Sequence, residues 1–237
     1  MPIWAWAILA AVGLGLGYWL LIQTEGTYLG VRAVTLMYDW VARRYDRIKN
    51  LSYVNEMCFL GLPLGRAVQA VPEPLILDVA SGTGRLALTM VRQGDFRGQV
   101  VCIERSPRML AEARVALADY PEQAACLRQD AQALGFADAS FDAVTCLEAL
   151  EFMTHPRRAV QEMVRVLKPG GVLMLSNRIG FDAAFFPGRL CGRGRLERYL
   201  HSLGLPTRSE RWQVHYDLVW ARKGPETEGD RPAAGPV

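Results

Sequence analysis

Apolar residues fill the start of the chain without interruption, and the pattern then changes twice. Ile3 to Ile22 form an uncharged run of twenty residues. At about 1.5 Å per residue, a helix of that length covers the roughly 30 Å hydrocarbon core of a bilayer. From Thr27 to Asn50, apolar positions recur at helical spacing (Leu29, Ala33, Leu36 and Met37, Trp40 and Val41, Tyr45, Ile48) with arginines between them, which predicts one or two helices. After Pro72 and Pro74, short apolar runs alternate with longer amphipathic ones. Leu75–Val79, Val100–Glu104, Ala124–Arg128, Ala143–Leu147 and Val172–Asn177 read as strands, and Arg85–Gln93, Pro107–Ala118 and Arg157–Leu167 as helices. A late strand is expected over Gln213–Arg222, hairpinned to one beginning near Thr207. Strands alternating with helices predict an α/β fold: a doubly wound, mostly parallel seven-stranded sheet preceded by one transmembrane helix. The organisation expected is a transmembrane helix over 1–23, juxtamembrane and cap helices over 24–71, an α/β domain over 72–223, and a tail over 224–237. The tail is rich in Pro, Gly, Glu and Ala, and is expected to be disordered. No internal repeat of solenoid period is present.

The flanks of the first segment sharpen the membrane reading. Trp4 and Trp6 lie near one end and Tyr18 and Trp19 near the other, where amphipathic rings favour the two interfaces. The first charge is Glu25, followed by Arg32, Arg43, Arg44, Arg47 and Lys49, so the positive-inside tendency places the following domain in the cytoplasm. A cleaved signal peptide would have a basic leading region and a shorter apolar stretch. Gly13 and Gly17 form a small-xxx-small pair of the kind that lets two helices approach closely. The basic face of the segment after the span suits anionic lipid, and its apolar face suits closure over the next domain; the two are compatible.

Composition adds little beyond this. Net charge is +3, and of the 27 basic residues only three are lysine (Lys49, Lys168, Lys223), the other 24 being arginine, so global charge makes no case for nucleic acid. Cys58, Cys102, Cys126, Cys146 and Cys191 are widely spaced, without the paired spacing of a zinc site or a disulfide framework, and are read as reduced thiols; no metal is expected.

The chemistry concentrates at predicted strand ends. Leu75-Ile76-Leu77-Asp78-Val79-Ala80-Ser81-Gly82-Thr83-Gly84-Arg85 is an apolar strand running into a glycine turn and then a helix, where glycine permits close backbone approach to a ligand. Glu104 ends the next strand about twenty residues on, where a carboxylate can accept both hydroxyls of a ribose. Asp130 follows the third strand and, with the backbone of Ala131, can address an adenine edge. Ala87 stands where the dinucleotide fingerprint has its third glycine, a tolerated departure, so spacing alone leaves nicotinamide cofactors open.

Resemblance decides among these. Asp78-Val79-Ala80-Ser81-Gly82-Thr83-Gly84 resembles the first motif of class I S-adenosylmethionine-dependent methyltransferases, and Glu104-Arg105-Ser106-Pro107-Arg108-Met109-Leu110 their acidic second motif. Asp130-Ala131 with Leu134 and Phe136, then Ser140-Phe141-Asp142-Ala143-Val144, resemble the third and fourth. Arg165-Val166-Leu167-Lys168-Pro169-Gly170-Gly171 is similar to the turn before their fifth strand, and Leu218-Val219-Trp220-Ala221-Arg222-Lys223 to their closing strand. Within that superfamily, Tyr38-Asp39 and Tyr45-Asp46-Arg47 resemble the tyrosine-aspartate segment of the small-molecule and quinone C-methyltransferase group. The resemblance implies S-adenosylmethionine as cofactor. It implies Asp78, Ala80, Gly82 and Gly84 around the methionine part, Glu104 on the ribose, Met109 and Arg105 flanking the adenine, Asp130 and Ala131 at its amino edge, and Leu147 near the sulfonium.

For catalysis, Glu148 and Glu151 follow the fourth predicted strand, where either can take a proton from an acceptor or sit on a solvated helix face. Alignment of donor and acceptor can itself supply roughly 7–11 kcal/mol, so no base is obligatory. His155 precedes Pro156 in a turn and is not read as catalytic. Tyr38 and Tyr45 either cap the pocket or belong to the core. The stretch Ile179–Leu205 carries Phe181, Phe185, Phe186 and Pro187 and then Arg189, Arg193, Arg195 and Arg198. It reads either as a loop that dips toward lipid head groups or as a packed lid with solvated arginines. The expected function is methyl transfer to a lipid or other hydrophobic small molecule at a membrane surface. Alternatives are a membrane-tethered thiol or small-molecule methyltransferase and a non-catalytic cofactor-binding assembly factor.

Overall fold

The computed structural model describes residues 2–49 and 52–225. Helix α1 (Ile3–Tyr18) continues through a π-helical turn, Trp19–Gln23, and the 21 residues Ile3–Gln23 are long and apolar enough, by length and composition, to cross a membrane. None of α1 is buried against the rest of the chain. A helix that is apolar all round has no face to turn to water, and α1 finds no protein core to enter. Glu25 and Gly26 then take positive φ, +48° and +72°, and turn the chain out of the helix. Trp19 stacks on Tyr28 across this turn, ring centroids 5.1 Å apart.

The predicted helical stretch after the turn is broken into pieces. Helix α2 (Val31–Val41) is followed by a 3₁₀ turn and by α3 (Tyr45–Ile48); the predicted end at Asn50 lies outside the described residues. Then come α4 (Tyr53–Glu56), a π-helical turn Met57–Gly61 and α5 (Leu62–Val68).

Strands β1 (Leu75–Val79), β2 (Gln99–Glu104), β3 (Ala124–Arg128), β4 (Phe141–Cys146), β5 (Leu167–Arg178), β6 (Thr207–Arg211) and β7 (Tyr216–Arg222) form one seven-stranded sheet in the order β3-β2-β1-β4-β5-β7-β6. The first five strands are parallel; β7 runs antiparallel to β5 and to β6. Helices α6 (Arg85–Val91), α7 (Pro107–Ala116), α8 (Pro156–Val166) and α9 (Arg195–Ser202) complete the α/β alternation. Side chains of β1 alternate between the two faces as a strand requires. Ile76 packs with Leu60, Leu64, Leu86 and Met90 on one face, and Leu77 and Val79 with Val160, Met163, Leu196 and Leu200 on the other. Both faces are therefore dry, which accounts for the near-continuous apolar runs of the central strands.

Two of the boundaries that differ from expectation have a clear physical reason. Strand β5 starts five residues earlier than predicted, because Lys168-Pro169-Gly170-Gly171 is absorbed as an irregularity: Phe141 pairs with Leu167, but Ala143 pairs with Val172. Pro169 lacks a ladder donor, and Gly170 adopts φ +77°, so these residues bulge while the strand continues. Helix α5, expected among the cap helices, instead contributes Leu64 and Val68 to the sheet's core. The expected disordered tail lies, from residue 226 on, outside the described residues.

Candidate active site

Order reverses at β1: β2 and β3 lie to one side, and β4 and β5 to the other. In open α/β sheets the crevice beyond the carboxyl ends of the strands at such a switch point is where ligands bind. A cleft opens there. Ala80, Gly82, Glu104, Arg105, Asp130 and Ala131 line one wall; Val31, Val34, Tyr38 and Tyr45 of the N-terminal segment face them, with Leu147, Glu148, Phe152 and Met153.

The strand-end wall is fixed by its own backbone. Glu104 Oε2 accepts from the Gly82 N–H (3.0 Å), and Oε1 from the N–H groups of Arg105 and Ser106 (2.8 Å each). Three of the roughly four acceptor positions of the carboxylate are thus filled. The remaining one, on Oε2, has no hydrogen-bond partner among the described residues. Burial raises the Glu104 carboxyl, and these three N–H groups act the other way. Gly82 has φ +57°, and a Cβ built there would meet nothing within 4 Å, so the backbone lies open to close approach by a ligand. Asp130 accepts from Arg105 Nη1 (2.7 Å) through one oxygen and from the Gln132 N–H (3.0 Å) through the other. Burial raises its carboxyl, but the Gln132 and Arg105 interactions outweigh it and hold it below the usual range.

Of the residues expected from the sequence, eight line the cleft: Ala80, Gly82, Glu104, Arg105, Asp130, Ala131, Leu147 and Glu148. Four do not. Asp78 points into the sheet, where Oδ1 accepts from Thr145 Oγ1 at 2.7 Å; burial pushes it up to about 7, against that hydrogen bond. Gly84 has φ +79° and lets α7 close in, since a Cβ would sit 3.2 Å from both Ala113 Cβ and Leu117 Cδ1. Met109 is fully buried in α7. Glu151 lies behind the cleft, almost fully buried, accepting from Arg178 Nε (3.0 Å) and from the Tyr216 hydroxyl.

Glu148 reaches the cleft but is held by two cations. Its carboxylate accepts from Arg85 Nη2 (2.8 Å) and Lys49 Nζ (3.0 Å), and its own N–H donates to Ser176 Oγ. Burial would raise it, but the Arg85 guanidinium and the Lys49 ammonium prevail and hold it at about 2. A carboxylate so stabilised in its charged form is a weak proton acceptor; its geometry suits holding Arg85 and Lys49 together.

Sequence reasoning missed Arg85, Lys49, Glu56 and the polar joints of the facing wall. Arg85 Nε lies 3.5 Å from Glu56, and its guanidinium covers the Trp212 ring at 5.4 Å. Asp39 Oδ1 accepts from Ser106 Oγ (2.5 Å) and the Arg108 N–H (3.1 Å), pinning α2 to the start of α7. Asp46 accepts from Thr83 Oγ1 (2.6 Å), pinning α3 to the glycine turn. The tyrosine-aspartate segments thereby divide their work: the aspartates clamp, and Tyr38 and Tyr45 line the cleft, their rings 6.0 Å apart. Of the stretch Ile179–Leu205, Phe186 is buried edge-on against Phe152, Phe181 is exposed, and the Pro187 carbonyl accepts from the Tyr28 hydroxyl.

A family described as a methyltransferase domain matches residues 77–175. The chain is similar to a demethylmenaquinone methyltransferase of Clavibacter sepedonicus, 36% identical over 142 residues, 60% of this chain and 56% of that protein. It is also similar to a ubiquinone/menaquinone biosynthesis C-methyltransferase UbiE of Bordetella parapertussis, 34% identical over 145 residues, 61% of this chain and 56% of that protein. The chain thus spans little more than half the length of these curated relatives. Its fold matches a solved S-adenosyl-L-methionine-dependent methyltransferase-like protein from Methanococcus maripaludis with a TM-score of 0.63 at 14% identity, covering 80% of this chain and 95% of that one.

Proposed function

We propose that this chain, whose residues 77–175 match a methyltransferase domain, uses S-adenosylmethionine to methylate a hydrophobic small molecule, of the quinone-precursor kind, at a membrane surface. The open backbone at Gly82 and the free acceptor position of Glu104 fit the cofactor's nucleoside. Glu104 would hold the ribose, Asp130 and Ala131 the adenine edge, and Leu147 the dry space beside the sulfur. When bound, the cofactor supplies an electrophilic methyl group. The chain's own part is alignment and exclusion of water, which Tyr38, Tyr45, Phe152 and Met153 provide on the opposite side.

The observation that carries the acceptor reading is the origin of that opposite wall. Val31, Val34 and Tyr38 come from α2, the first helix after the apolar span. In this reading Ile3–Gln23 crosses the bilayer, and Arg32, Arg43, Arg44 and Arg47 mark the cytoplasmic side. The acceptor wall then stands at the membrane surface, and its apolar lining suits a lipid-soluble molecule. The similarity to demethylmenaquinone and ubiquinone/menaquinone methyltransferases supports the quinone class.

The test uses the full chain in detergent with methyl-labelled cofactor and a total membrane lipid extract. Label should appear in an organic-soluble product carrying a new methyl group. Cofactor binding with no label transferred would instead favour a non-catalytic assembly factor, and label in water-soluble thiols or small molecules alone would displace the lipid acceptor.

A further inference from the structure

Helix α2 has two faces in different surroundings. Val31, Val34, Thr35 and Tyr38 line the cleft. On the opposite side, at a spacing of four, stand Arg32, Leu36 and Trp40, followed by Arg43; all four are exposed, Leu36 at 67% and Trp40 at 83%. Val34 packs against the Phe152 and Phe186 cluster, as do Ala183 and Phe185, which brings the 3₁₀ turn Phe181–Phe185 beside α2; Phe181 itself is 80% exposed. Most of the exposed large apolar side chains outside the span lie within residues 29–62. Single exposed apolar residues mean little, but a grouped set rimmed by arginines marks an interaction surface. The span is also firmly joined to the domain. Trp19 at its end stacks on Tyr28, the Arg189 guanidinium covers the Tyr28 ring at 5.3 Å, and the Tyr28 hydroxyl donates to the Pro187 carbonyl at 2.8 Å. The segment after β5 is thereby fixed to the base of the span, so the seating of the span also sets which side of the domain faces the bilayer.

We infer that the outer face of α2, together with Phe181, docks on the bilayer surface. Leu36, Trp40 and Phe181 enter the head-group boundary, and Arg32, Arg43, Arg44 and Arg47, all exposed, meet anionic head groups. This rests on the membrane-surface reading above. Two features select the bilayer as occupant. The stripe follows the apolar span after a single turn of chain, and that turn is held by the Trp19–Tyr28 stack. Its residues are also those that lipid interfaces favour: tryptophan at the level of the head groups, and arginine beside anionic lipid. Docking in this way gives α2 a double role, with lipid on one face and the acceptor wall on the other. A lipid-soluble acceptor then has only the width of one helix, roughly 10 Å, between the bilayer and the cleft.

The experiment places the full chain in nanodiscs of phosphatidylcholine, with or without phosphatidylglycerol, each carrying a trace of phospholipid with a photoactivatable diazirine near its head group. Peptide mass spectrometry then locates the lipid adducts. They should fall on Leu36, Trp40 and Phe181 as well as on the span, and those outside the span should rise several-fold with phosphatidylglycerol. Val115, 75% exposed in the last turn of α7, should stay unlabelled. The double variant Leu36→Asp, Trp40→Asp should lose labelling at Phe181 several-fold and transfer less methyl to a lipid extract in the same discs, with calorimetric affinity for the cofactor unchanged. Adducts confined to Ile3–Gln23 overturn the docking, as does equal labelling in the two kinds of disc or labelling of Val115 to the extent of Trp40. An α2 face that is shielded from hydroxyl-radical oxidation yet takes no lipid is covered by a second copy of the chain, which also overturns it. Absence of adducts from Ile3–Gln23 itself sinks the membrane reading and the docking with it. A chain that is labelled as expected but transfers no methyl group sinks the function reading alone.

Discussion

The two walls of the cleft hold their side chains in different ways. On the strand-end wall, Glu104 is fixed by three N–H groups of the neighbouring backbone, and the open space over Gly82 exists because of a turn the sheet itself imposes. On the facing wall, Tyr38 and Tyr45 ride on helices from a distant part of the chain, joined to the sheet by the polar contacts of Asp39, Asp46 and Lys49. A wall made of backbone is held in place by the fold itself, whereas one carried on separate helices can change without unfolding the sheet. That is the arrangement expected when one cofactor serves many acceptors.

The joint between the walls gives the largest expected effect. Glu148→Gln leaves Arg85 and Lys49 without their common partner in a nearly buried setting, where breaking an ion pair costs about 3–5 kcal/mol. Urea unfolding should show that loss at neutral pH. The folded-state value of about 2 lies below the unfolded 4.5, so the stabilisation is present above pH 4.5 and disappears as pH falls toward 2; the mutational difference should shrink over that window.

Asp78 gives the opposite sign and sharpens the contrast. Its folded value of about 7 lies above the ordinary 3.8, so between those two values the folded chain binds the extra proton and stability falls as pH rises, with a slope of up to about 1.4 kcal/mol per pH unit. Asp78→Asn should flatten that part of the stability profile.

The smallest effect separates the walls by function. Thr83→Ala removes the Asp46 clamp, worth about 1 kcal/mol. It should raise KM for the acceptor several-fold, with little change in cofactor affinity.

What the sequence revealed follows the same division. The strands β1 and β3 match their predicted limits because short apolar runs end at sharp turn residues, and eight of the expected site residues line the cleft because each sits at a strand end or just past one. Asp78, Gly84 and Met109 occupy motif positions, yet the Asp78 and Met109 side chains turn into the sheet and α7, and Gly84 serves by having no side chain where α7 closes in, distinctions that a place in a motif does not carry. The pairing of Glu148 with Lys49 and Arg85, 99 and 63 residues away, has no local signature.

The most direct test of the central claim, that the strand-end wall is the cofactor's seat, is calorimetric titration of the full chain and of Glu104→Ala with S-adenosylmethionine. The wild type should bind one cofactor per chain. Loss of a carboxylate hydrogen bond of about 1.5–3 kcal/mol should weaken binding by roughly 10- to 100-fold in the variant. Equal affinity in the two proteins, or no binding to the wild type, would contradict the account.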